Sequence, residues 1–107
     1  MEGVPVDRCD EDAGRFREGA EVLRALSHPI RLRIIELLRG GELCVKRLEE
    51  ILGISQPSVS QHLSRLKYAG LIESERRGHL VCYRLADRRG ERILDAAMGD
   101  ANSGVEG

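Results

Sequence analysis

The 107-residue sequence has no tryptophan, one phenylalanine and two tyrosines, so its core must be filled by Leu, Ile, Val and Ala, the usual content of helical packing. No apolar run approaches the ~18 residues of a membrane-spanning helix, and the first residues are acidic and polar where a secretory signal is basic and then apolar. A cytoplasmic protein with no membrane partner is expected. The three cysteines, Cys9, Cys44 and Cys82, form no Cys-x-x-Cys pair, which excludes a zinc ribbon and a disulfide framework and leaves reduced thiols. There is no glycine-rich phosphate loop and no set of paired carboxylates suited to acid–base work, so an enzyme is not expected.

Length allows one domain. Residues 1–9 and 99–107 lack core formers and read as a flexible arm and tail around a folded unit over 10–98. The formal net charge is only −1, yet the signs are segregated. Residues 1–25 carry seven acids against four arginines, whereas residues 55–89 carry seven bases against three acids. Such a localised basic surface suits a duplex reader, because phosphates are neutralised by a cluster of cations and not by an overall basic charge.

Apolar residues recur at helical spacing in four successive segments. Phe16, Ala20, Leu23 and Leu26 predict a helix over 10–26. Ser27 as cap and Pro29 in the first turn predict a second, with Ile30, Ile34, Leu37 and Leu38 inward. Val45, Leu48, Ile51 and Leu52 predict a third over 43–52, stopped by Gly53. In the segment ISQPSVSQHLSRLKYAGLI, Ser55 caps a fourth helix whose stripe is Val59, Leu63 and Leu66 and whose end is Gly70. Two short helices joined by a tight turn containing Gly form a helix-turn-helix. Residues 71–75 and 80–85 then predict a hairpin meeting at Arg77-Gly78-His79, and a last helix is expected over 87–98. The order α-α-α-α-β-β-α is that of a mainly α, winged helix-turn-helix domain.

The fourth helix is where chemistry enters. With Val59, Leu63 and Leu66 inward, a rotation of about 100° per residue turns Pro57, Ser58, Gln61, Ser64, Arg65 and Tyr68 outward. Ser and Gln can bond base edges or phosphates and Arg can hold guanine by two bonds. The helix contains no carboxylate, unlike an ordinary solvent-facing helix. That face argues against a protein-interaction winged helix, and the scarcity of aromatics argues against single-strand binding. Arg76, Arg77 and His79 at the wing are placed to follow the sugar-phosphate backbone. Phe16, Leu23, Ile93, Leu94 and Met98 on the first and last helices exceed what one thin domain covers, which predicts a homodimer joined through those helices.

ALSHPIRLRIIELL, ELCVKRLEEILGISQPSVSQHLSRLKYAGLI and RRGHLVCYRL together resemble the ArsR/SmtB family of bacterial metalloregulatory repressors, over roughly residues 21–85. The resemblance implies a dimeric repressor on double-stranded operator DNA, released when an inducer binds, with DNA contacts at Gln56, Ser58, Ser60, Gln61 and Arg65. Arsenic- and antimony-sensing members open the third helix with E-L-C-V-C, and this chain has Glu42-Leu43-Cys44-Val45-Lys46. The missing second cysteine leaves Cys9 as the natural partner of Cys44 for As(III), Sb(III) or another thiophilic metal ion, with Cys82 a third ligand where geometry allows. A helix N-terminus and nearby Lys46 and Arg47 favour a Cys44 thiolate. The rival inducer is an oxidant or persulfide, although the sulfide-sensing members carry their cysteines in the second and last helices. The last helix has no His, so the Asp/His zinc site of other members is absent there, and Asp87 with Asp95 makes a poor zinc pair. His28, His62 and His79 read as cap, packing residue or phosphate contact.

Overall fold

A computed structural model describes the backbone of residues 6–99, with side chains from residue 12 onward. Five helices and three strands follow in the order α1 (Val6–Leu26), α2 (Pro29–Leu38), β1 (Leu43–Cys44), α3 (Val45–Leu52), α4 (Gln56–Tyr68), β2 (Ile72–Arg77), β3 (Leu80–Leu85) and α5 (Arg89–Ala97). The winged helix-turn-helix is present, with one strand more than expected.

Helix α1 starts at Val6, so the backbone of residues 6–9 is helical. Its buried residues are Val22, Ala25 and Leu26, whereas Phe16 and Leu23 face solvent. The apolar row of this helix is thus divided. Spacings of three and four tie Val22 to Ala25 and Leu26 against the helical core, and the Phe16–Ala20–Leu23 row is turned toward an open groove it shares with Arg89 and Ile93 of α5.

The cap of α2 is His28 and not Ser27. Ser27 is still bound into the end of α1 through its N–H to the Arg24 carbonyl, while His28 is extended and its Nδ1 accepts from the Ile30 N–H at 3.1 Å. Pro29 then occupies the first helical position, where a missing N–H leaves nothing unpaired. In α4 Ser55 caps as expected, its Oγ accepting from the Ser58 N–H at 3.4 Å. The left-handed Gly70 (φ +81°) ends that helix, letting the Leu71 N–H return to the Leu66 carbonyl at 3.0 Å.

Leu43 and Cys44, expected to start the third helix, instead form β1 antiparallel to β3. The sheet order is β1-β3-β2. Cys44 is therefore extended (φ −87°, ψ 160°) and stands as the cap residue of α3 without a capping side-chain bond. The β2–β3 hairpin pairs Arg77 with Leu80, so the turn is only Gly78-His79, with Gly78 at φ +69°.

The core is a single cluster in which Ile34, Ile35, Leu48, Val59, Leu63, Leu66 and Leu71 are wholly buried. Tyr83 and Leu85 of β3 pack against it, and Ile72 of β2 belongs to it. Each such aliphatic side chain stabilises the fold by about 1.5–3 kcal/mol through its removal from water. Gly90 of α5 packs against Ile35 of α2, where a Cβ would meet Cδ1 of Ile35 at an ordinary contact distance of 3.4 Å. Arg39 then clamps the pair by an ion pair to Asp95 at 2.7 Å.

Candidate nucleic-acid interface and thiol pair

The core locks α4 by Val59, Leu63 and Leu66, and this rotation fixes what its other side presents. Gln56, Pro57, Gln61, Ser64, Arg65 and Tyr68 are exposed. Ser58 and Ser60 are half-buried, and Ser58 is engaged in the cap, its Oγ accepting from the Ser55 hydroxyl at 3.1 Å. The acid-free face of the sequence is thus an acid-free surface, with Gln56, Gln61 and Arg65 as its accessible hydrogen-bonding groups and the two serines set at its edge.

A basic residue from α2 extends this surface. Arg31 donates through Nε to Nδ1 of His62 at 3.2 Å and through a terminal nitrogen to the Ala25 carbonyl at 3.3 Å. Burial lowers its proton affinity, and Arg65 lowers it further by facing the same recess, which Glu21, Arg24 and Tyr68 also line. Arg24, Arg31 and Arg65 against the one carboxylate of Glu21 leave the recess with a net positive lining. Arg31 escaped the sequence reading because its place beside α4 is a tertiary contact across 31 positions, with no local signal.

His28 and His62, which the sequence leaves far apart, are in ring contact at 4.4 Å between centroids. His62 is neutral in this arrangement, because Nδ1 accepts from Arg31. Burial first, then His28 and Arg31, push its pKa below the ordinary imidazole value. His79 is exposed at the wing turn, away from both.

The wing differs electrostatically from the expectation. Arg76 is exposed and enters no ion pair among the described residues. Arg77, by contrast, bonds Glu42 at 2.7 and 3.3 Å and Glu75 at 3.3 Å. Arg84 meets Glu73 and Glu75, each at 3.1 Å, and Glu42 at 3.6 Å. Three carboxylates and two guanidiniums therefore neutralise most of the charge that the sequence places here. Glu42 is held below the usual carboxylate range, chiefly by its bond to Arg77, and Arg77 is raised in turn by Glu42.

Beneath that lattice lie two of the three cysteines. Cys44 of β1 is directly opposite Cys82 of β3 in the antiparallel register, and Glu75 of β2 flanks Cys82 on its other side. Cys44 is half-buried and Cys82 only 8 % exposed. Cys82 is nevertheless absent from the helical core cluster, since alternation turns Tyr83 and Leu85 inward and Cys82 toward the charged face. Burial raises its thiol pKa, and the negative charge of Glu42 adds to the rise. Cys9 lies in the backbone of α1, and its side chain falls outside the described residues. Among the described residues no group of three or more His, Cys, Asp and Glu side chains converges to hold a metal ion, so the donors there number two thiols.

Residues 28–74 match the arsR family of bacterial regulatory proteins. The chain is 48 % identical over 81 residues to the HTH-type transcriptional repressor SmtB of Mycobacterium tuberculosis, an alignment taking in 76 % of this chain and 60 % of that relative. It is 38 % identical over 93 residues to the biofilm growth-associated repressor of Xylella fastidiosa, covering 87 % of this chain and 82 % of the other. Among solved structures, the homodimeric winged helix-turn-helix DNA-binding domain of a possible ArsR-family regulator from Mycobacterium bovis, determined in solution, has a TM-score of 0.80 at 30 % identity, covering 99 % of this chain and 94 % of that one. No described helix is long and apolar enough to cross a membrane.

Proposed function

The chain belongs to the ArsR family of bacterial regulatory proteins, and we propose that it is a homodimeric, non-enzymatic transcriptional repressor that reads operator DNA through α4. The observation carrying this reading is the division of α4: Val59, Leu63 and Leu66 are fully covered, while Gln56, Gln61 and Arg65 stand free on a flank without carboxylates. In the major groove, Gln61 and Arg65 meet base edges, and Gln56, Ser58 and Ser60 meet the backbone near the helix N-terminus. Arg76, Arg77 and His79 approach the adjacent groove and its phosphates from the wing. The homodimeric Mycobacterium bovis domain supports pairing, and the exposed Phe16 and Leu23 of α1 and Met98 at the end of α5 favour the first and last helices as the apolar surface for it. A mobility-shift titration on the DNA upstream of the chain's own gene tests the reading. Affinity should fall steeply with salt, and binding that ignores ionic strength contradicts phosphate contact.

The inducer in this proposal is a thiophilic ion, As(III) or Sb(III) before others, bound through Cys44. The opposed Cys44 and Cys82 supply two thiols for a soft ion, and Cys9 is the remaining thiol of the chain. Soft ions select thiolates over the carboxylates nearby. Arsenite and Cd(II) titrated onto the reduced protein–DNA complex should release DNA from the wild type and fail to release it from Cys44→Ser; release that is unchanged in that variant removes Cys44 from the inducer site.

A further inference from the structure

From the opposition of Cys44 and Cys82 we infer that this protein carries a reversible dithiol–disulfide site at the base of its wing, closed by a two-electron oxidant of the peroxide class. The site does not depend on the DNA-binding reading, and it involves neither Cys9 nor a metal ion.

Geometry is the first argument. Residues directly opposite in an antiparallel pair have Cα atoms about 4.5–5.5 Å apart, and disulfides span Cα separations of about 4.4–6.8 Å. The Cys44–Cys82 register places the pair in that range of Cα separations, and opposed residues put their side chains on one face of the sheet. Neither thiol is already bridged. The two differ in access: Cys44 is half-buried at the sheet edge, while Cys82 lies beneath Glu42, Glu75 and Arg84. An oxidant meets Cys44 first, and Cys82 is at hand to resolve the product.

The chemistry balances in two steps. The Cys44 sulfur, as thiolate, attacks one peroxide oxygen and breaks the O–O bond, giving a sulfenic acid and, once the leaving hydroxide takes up the thiol proton, one water. The Cys82 sulfur then attacks the Cys44 sulfur, forming S–S and displacing hydroxide, which leaves as the second water with the Cys82 proton. Two thiols lose two electrons in all, and one peroxide becomes two waters.

A bridge here ties β1, and with it the start of α3, covalently to the wing strand β3. Neither cysteine is a member of the aliphatic core cluster. Their opposition at a sheet edge, under a lid of ion pairs outside that core, is what a closing dithiol needs.

The test uses the full chain as Cys9→Ser, so that only the two thiols in question remain. After limiting hydrogen peroxide, N-ethylmaleimide labelling in denaturant should fall from two thiols to none. The mass should drop by two hydrogens before labelling, and digestion with trypsin should link the peptide Gly40–Lys46 to Gly78–Arg84. Dithiothreitol should restore both labels. Repeating the oxidation in guanidinium should slow bridging by about tenfold or more, since the fold supplies the proximity. A bridge between two chains, a Cys44 carried on to sulfinic acid with Cys82 still labelled, or equal rates in folded and unfolded protein would each overturn the proposal.

Discussion

Arg77, the last residue of β2, holds Glu42, which lies just ahead of β1, through two hydrogen bonds of 2.7 and 3.3 Å. The wing's foremost candidate phosphate contact is therefore already partnered inside the protein. Glu42→Gln removes the carboxylate and releases much of that charge. It should tighten DNA binding and steepen the fall of affinity with salt, by a slope increment of up to about 0.9 for one added phosphate contact. Arg76→Ala, which removes a cation that pairs with no carboxylate among the described residues, should weaken binding to every sequence more than Arg77→Ala does. Salt-dependent mobility shifts on operator and unrelated DNA check both, and an unchanged slope in Glu42→Gln takes Arg77 out of the interface.

The α4 face makes a different kind of prediction, because base contacts discriminate where phosphate contacts do not. Arg65→Ala and Gln61→Ala should each cost about 1–3 kcal/mol on the cognate operator and relax preference at one position of the site. Loss of equal size on random DNA assigns these residues to the backbone instead. Leu63→Ala touches no DNA, yet it should lower unfolding stability by about 2–5 kcal/mol in a denaturant melt, because Leu63 is wholly buried.

His62 links stability to pH. Its pKa is lowered in the folded chain, so between that value and the unfolded imidazole value of ~6.5 the unfolded chain binds a proton that the folded chain does not. Stability is accordingly fully present above ~6.5 and is lost as pH falls from there through the lowered folded value, where protonation also removes the acceptor for Arg31. His62→Gln keeps an acceptor without titrating. Urea midpoints at pH 7.5 and 5.5 should differ less in the variant than in the wild type; an equal drop in both moves the pH dependence to another group.

What could be read from the sequence was whatever is written locally. Ser55, Gly53, Gly70 and the Val59–Leu63–Leu66 stripe place α4 and both its ends, because caps, left-handed stops and helical spacing act over a few residues. Cys44 and Cys82 are 38 positions apart, and β1 is only two residues long, too short for any alternation to betray it. The same limit hid the His28–His62 contact and the pairing of Arg77 with Glu42. Phe16 and Leu23 show in the sequence as an apolar row beyond what one domain covers, and they are exposed in the protomer; periodicity identifies such a stripe without identifying what covers it.

That stripe supports the last prediction. In the protomer Phe16 is 68 % exposed, Leu23 59 % and Met98 59 %, on the two helices expected to meet a second copy. An apolar row left open by its own subunit contributes nothing to the protomer core, so charging it separates association from folding. Leu23→Glu should leave the thermal unfolding of the monomer near that of the parent extrapolated to low concentration, while sedimentation shows the dimer lost. Operator affinity should fall by far more than twofold, because one half-site no longer raises the effective concentration at the other. Leu63→Ala provides the contrast: it weakens the fold and leaves the α1–α5 surface untouched. A Leu23→Glu protein that sediments as a dimer and binds operator normally places the interface elsewhere, and then the exposed row requires another partner.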